Sequence, residues 1–135
     1  MQVWFHESET DIEFVPGQYV TLRGPNGDFT VRQPSERDVV FRCTGTGVAP
    51  FRNTIAYTFE EGRDVYEGTE RDFWLFLGTG WEDDVAYREK FERLADGRDN
   101  FHFVPTLSRE EYLTDWDGET RYVQQTLLKY VESEG

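Results

Sequence analysis

From Val39 onward, apolar positions recur with two alternating periods. "DVVFRC" (38–43) is a short apolar run of strand composition. "APFRNTIAYTFEEG" (49–62) sets Phe51, Ile55 and Phe59 at i, i+4 and i+8, one helical face, with Gly62 as a stop. "GRDVYEGTER" (62–71) is charged and aperiodic, and reads as a loop. "DFWLFLG" (72–78) is almost unbroken apolar sequence, as expected of a strand covered on both faces. "DDVAYREKFERLADG" (83–97) predicts an amphipathic helix, with Asp83 and Asp84 at its start and Val85, Phe91 and Leu94 on its apolar side. "NFHFVP" (100–105) is a third strand, and "GETRYVQQTLLKYVESEG" (118–135) a turn followed by a helix. Before Val39 the pattern differs: "QVWF" and "YVTLR" have strand composition, and "FVPGQ" and "GPNGDF" carry turn signals.

Strand, helix, strand, helix, strand, helix implies βαβ units and a parallel sheet. The fold class is therefore α/β, a Rossmann-like parallel sheet flanked by helices. It reads as incomplete, because three strands fall short of the five or six usual in a doubly wound nucleotide domain. The chain divides into a short β segment, residues 1–37, and an α/β unit, residues 38–135.

Composition narrows the function. The net charge is −13, with 27 acids against 14 bases, of which only Lys90 and Lys129 are lysines. Such a chain repels phosphate backbones and is no general nucleic-acid binder. An acid-rich, lysine-poor surface also suits high salt. No apolar run approaches a membrane span, and the acidic start "MQVWFHESETD" is not a signal peptide. The lone Cys43 excludes an internal disulfide and, inside a strand, reads as a small buried residue. A soluble, cytoplasmic protein is expected. His6 and His102 lack partners at ligand spacing, so no metal site is indicated. No Ser/His/Asp arrangement stands out.

The chemistry-bearing feature is the junction Thr44-Gly45-Thr46-Gly47 between the first strand of the α/β unit and its helix. Glycines let the backbone approach an anion, and the helix beginning near Ala49 aims free N–H groups at the same space. Pro50 fits the first helical turn, and Thr44 and Thr46 can add hydroxyl donors. The spacing Gly-x-Gly-x-x-Pro departs from the dinucleotide fingerprint, so by itself the junction fits a bare strand-to-helix turn equally well. Gly78 and Gly80 make a second small-residue loop, which alone reads as a strand end.

"CTGTGVAPFR" resembles the NADP-binding segment of the plant-type ferredoxin–NADP reductase family. Other landmarks of that family recur in order: "FWLFLGTGWEDDVAYREKFERL", "NFHFVPTLSRE" and "WDGETRYVQQTL". Upstream, "FVPGQYVTLRGPNGDF" resembles the last strands of its flavin barrel, making residues 1–37 a barrel remnant. The resemblance implies an FAD/NAD(P)H-dependent oxidoreductase that moves electrons between NADPH and a flavin, then a redox protein such as ferredoxin or flavodoxin. It gives Thr44, Gly45, Thr46, Gly47, Ala49 and Pro50 to the pyrophosphate, with Gly78 at the edge of the nucleotide cleft. Ser108 and Arg109 would hold the ribose 2′-phosphate, with added charge from Arg121; Tyr122 would stack on adenine and Gln124 would bond adenine or ribose. Glu110 and Glu111 could instead pair with Arg109. Catalytic residues are not assigned.

The family's main flavin motif, Arg-x-Tyr-Ser, is absent, as is the Cys-Gly strand beside the nicotinamide. The chain thus reads as truncated at both ends, and alone is expected to be colourless and without diaphorase activity. The alternative is a non-catalytic NADP(H)-binding module, or an acidic interaction domain, that needs a separate flavin-bearing partner. An acidic body lacks charge complementarity to acidic ferredoxin or flavodoxin. An unfinished sheet edge invites self-association.

Overall fold

The computed structural model describes residues 31, 36–109 and 116–134. In chain order its elements are β1 (Val39–Thr44), α1 (Ala49–Glu60), β2 (Val65–Tyr66), β3 (Thr69–Glu70), β4 (Phe73–Thr79), α2 (Arg88–Gly97), β5 (Phe101–Leu107) and α3 (Val123–Glu134). The strand readings before Val39, "QVWF" and "YVTLR", lie outside the described residues.

β1, β4 and β5 form a parallel sheet in the order β1-β4-β5, with Val39 opposite Phe73 and Phe73 opposite Phe101. The central β4 alternates its side chains between two cores, which explains its unbroken apolar sequence. Phe73, Leu75 and Leu77 enter the larger core with Phe51, Ile55 and Phe59 of α1 and Phe91 of α2. Phe76 turns to the opposite face and packs with Val104 and Val123, joined by Trp74, Leu127 and Tyr130. Phe59 meets Phe73 and Phe101 edge-on, at centroid distances of 5.4 and 5.6 Å. The three predicted apolar positions of α1 are thus all core positions.

Two local readings need correction. Asp83 and Asp84 do not open α2; they belong to a separate 3-10 turn, Glu82–Asp84. Val85 follows in extended conformation, with its side chain buried in the larger core. Tyr87 then takes a left-handed φ of 59°, and α2 begins only at Arg88. Burying Val85 turns the chain inward and breaks a helix that charge patterning alone would have continued. Arg88 bonds Glu82 before the break and Glu92 after it, and both carboxylates raise its pKa further. The charged segment 62–71 is likewise no plain loop but a hairpin, β2 pairing antiparallel with β3. Its turn residues Glu67 and Gly68 both have positive φ, as tight hairpin turns require.

The hairpin is tied to the sheet's N-terminal end by buried polar groups. Asn100 donates to the Asp64 carboxylate (2.9 Å) and the Arg71 carbonyl (3.1 Å), and the Arg71 guanidinium lies over the Phe73 ring. Among the described residues no helix is long and apolar enough to cross a membrane.

Candidate functional site

The carboxyl ends of the three parallel strands share one edge, where ligands bind in such sheets. β1 leaves that edge at Thr44 and passes through a 3-10 turn, Gly45–Val48, before α1. Gly45 has φ of 50°, a backbone state that favours glycine although its surroundings are open. Val48 is fully buried and anchors the turn, leaving Thr44, Gly45 and Thr46 over the sheet edge.

β4 and β5 stay coupled beyond their last ladder positions. The Ser108 amide and hydroxyl both donate to the Thr79 carbonyl (3.0 and 3.2 Å), and the Arg109 amide donates to the Gly80 carbonyl (3.1 Å). The chain returns over this edge at Trp116–Tyr122. The Leu107 amide donates to the Glu119 carbonyl (2.9 Å), and the Thr106 hydroxyl donates to the Arg121 carbonyl. α3 then descends onto β4 at Gly78, where an added Cβ would stand 3.0 Å from the Val123 Cβ. Gly78 is therefore glycine because a helix packs on it.

These turns enclose an open cleft of about 720 Å³. Nine of the twelve sequence-predicted residues line it: Thr44, Gly45 and Thr46 from the first turn; Gly78 from β4; Ser108 and Arg109 after β5; and Arg121, Tyr122 and Gln124 at the start of α3. Gly47, on the far side of the same turn, and Ala49 and Pro50, at the start of α1, are exposed and outside the lining. The sequence pattern does not assign Thr79, Trp81 or Asp84 to the site, yet all three line the cleft. Trp81 is half exposed directly after the second glycine loop, and that position is the signal that could have found it. Asp84 has the sequence context of a helix-start acid, and only the helix break turns it to the cleft.

The site is rich in hydrogen-bond donors. Neither Arg109 nor Arg121 makes an ion pair among the described residues, and Glu110 and Glu111 lie outside them. Tyr122 is 62% exposed, so it is not a core aromatic of α3. Cys43, just behind Thr44, is half-buried, and burial pushes its thiol up to about 11. Among the described residues no group of three or more His, Cys, Asp or Glu side chains could hold a metal ion. Two guanidiniums, hydroxyls, a glycine turn and an exposed aromatic ring suit a ligand that carries several anionic groups and a flat ring.

The oxidoreductase NAD-binding domain family matches residues 41–135. The chain belongs to this family. Over 118 residues it is 35% identical to the cyanelle ferredoxin–NADP reductase of Cyanophora paradoxa, covering 85% of this chain and 31% of that protein. Over 109 residues it is 34% identical to ferredoxin–NADP reductase B of Sorangium cellulosum, covering 81% of this chain and 41% of that one. The chain thus spans about a third of the length of such relatives. Among solved structures, the Amycolatopsis cytochrome P450 reductase GcoB aligns with a TM-score of 0.65 at 25% identity, covering 81% of this chain and 31% of that chain. The parallel α/β fold expected from the alternating elements is the one the chain adopts.

Proposed function

We propose that this chain carries the NADP(H) site of an FAD- and NADP(H)-dependent oxidoreductase of the ferredoxin–NADP reductase type. The observation that carries the reading is convergence: Ser108, Arg109, Arg121 and Tyr122 face the same cleft as Gly45 and Thr46, from three separate segments of the chain. The naming of its relatives as ferredoxin–NADP reductases supports the same reading. The Gly45–Val48 turn would hold the pyrophosphate on backbone N–H groups, and Thr44 and Thr46 would add hydroxyl donors. Arg109 would grip the ribose 2′-phosphate with Arg121 beside it, and Ser108 would join them by turning its hydroxyl from the Thr79 carbonyl to the phosphate, while the exposed Tyr122 ring would stack on adenine and Gln124 would bond adenine or ribose. A nicotinamide nucleotide held there would supply hydride chemistry for a flavin. No described residue is assigned to the flavin. Delivery of electrons to a protein such as ferredoxin is the onward step of this reading.

The test is nucleotide discrimination. Charge-assisted hydrogen bonds contribute about 1.5–3 kcal/mol each, so Arg109→Ala should weaken NADP⁺ binding by roughly 10- to 150-fold. NAD⁺, which lacks the 2′-phosphate, should change little. Calorimetric titration of both nucleotides measures this directly, and equal weakening of the two would sink the 2′-phosphate assignment.

A further inference from the structure

α1 and α2 lie side by side on one face of the sheet and feed the same core. Between them runs a groove of about 380 Å³ that shares no lining residue with the nucleotide cleft. Its floor is apolar, with Ala56, Phe59 and Leu94 along its length. Its rim is basic: Arg52 from α1, Lys90 and Arg93 from α2, and Arg98 just beyond it, against the single acid Glu60. Arg52, Ala56 and Phe59 fall at i, i+4 and i+7, and Lys90 and Leu94 at i and i+4, so each helix contributes one continuous stripe.

A rim of this sign is unexpected on a chain with 27 acids and 14 bases. Among the described residues none of the four rim cations makes an ion pair; the pairs formed involve Arg88, His102 and Lys129. Two of the guanidiniums lie over rings, Arg52 at 4.5 Å from the Tyr87 centroid and Arg98 at 5.7 Å from that of Phe59. Contact with a ring restrains such a group and leaves its N–H edge for an acceptor. The Nε of Arg52 is buried without a partner.

We propose that this groove docks an acidic amphipathic helix of a partner protein. Two neighbouring helices form a trough that a third helix fills with its apolar stripe, and the stripe from Arg52 to Phe59 is about two turns long, roughly 11 Å. Carboxylates flanking the partner's stripe meet the four cations. The acidic body around the groove repels the same partner elsewhere, which restricts it to this register.

The chain's overall charge makes the test sharp. The probes are two fluorescein-labelled peptides of about 15 residues, long enough to form a helix. One alternates Leu and Glu at helical spacing, and the other carries Lys in place of Glu. Fluorescence anisotropy is read against the full 135-residue chain. The acidic peptide should bind, and Lys90→Glu/Arg93→Glu should weaken it at least roughly tenfold. Amide NMR resonances away from α1 and α2 should hold their positions in that variant, showing an intact fold. Two results would overturn the proposal: only the basic peptide binding, as bulk charge dictates, or acidic-peptide binding that survives the double reversal unchanged.

Discussion

Cys43 shows how the wall around a side chain sets its chemistry. It stands next to the Gly45–Val48 turn, yet its thiol faces the Phe76 carbonyl at 3.9 Å, and burial raises its pKa from 9.0 to about 11. At neutral pH it is a neutral thiol and a poor nucleophile. Because the folded value is the higher one, the thiol's contribution to stability is complete below pH 9 and is lost as the pH rises through about 11. Labelling of the native chain by a disulfide reagent should be slow at pH 8, from on the order of 100-fold less thiolate than an unperturbed cysteine, and should accelerate between pH 9 and 11. Rapid native labelling at pH 8 would contradict this. At this scale much is legible in the sequence: the glycine, hydroxyl, guanidinium and aromatic residues of the cleft stand out by type and order. The burial of Cys43 follows from its place in a strand, but the size of its shift depends on neighbours that no local pattern contains.

Among elements, regular periods are legible and segments governed by a single long-range contact are not. α1 follows its i, i+4, i+8 pattern. α2 starts late because Val85 is drawn into the core and Tyr87 adopts a left-handed turn. The β2–β3 hairpin escapes a periodicity reading because each strand is only two residues long, too short for a period to register. Gly78 illustrates the packing side of the same point. A Gly78→Ala change places a methyl 3.0 Å from the Val123 Cβ and 3.4 Å from the Thr44 Cγ2, so α3 must shift off β4. Overpacking of this kind costs about 1–3 kcal/mol. Urea unfolding should show the midpoint falling accordingly, with nucleotide affinity falling too, since α3 begins beside Tyr122 and Arg121. An unchanged midpoint would mean that the helix yields without cost.

Across the whole molecule, charge repulsion works against the fold's compactness. A net −13 on 135 residues pushes the surface apart. The ion pairs found at the surface offset little of it, since such pairs contribute about 0–1 kcal/mol each. Raising ionic strength from about 0.1 to 1 M shortens the screening length from about 10 to 3 Å and removes most of the repulsion. The melting temperature should therefore rise by several degrees across that range. A fall would show that local pairs outweigh the global repulsion.

Periodicity and turn chemistry are local, so the alternation of elements, the parallel sheet and the residue types at its carboxyl edge can be read from the chain alone. Which of those residues share a cleft is a matter of three-dimensional packing. Packing places Thr44, Ser108 and Tyr122 together, leaves Pro50 outside, and turns Trp81 and Asp84 inward. It also sets two helices side by side so that four scattered cations become one rim. Distances between residues far apart in the chain are fixed by strand order and helix packing, and one strand's sequence carries no record of its neighbour.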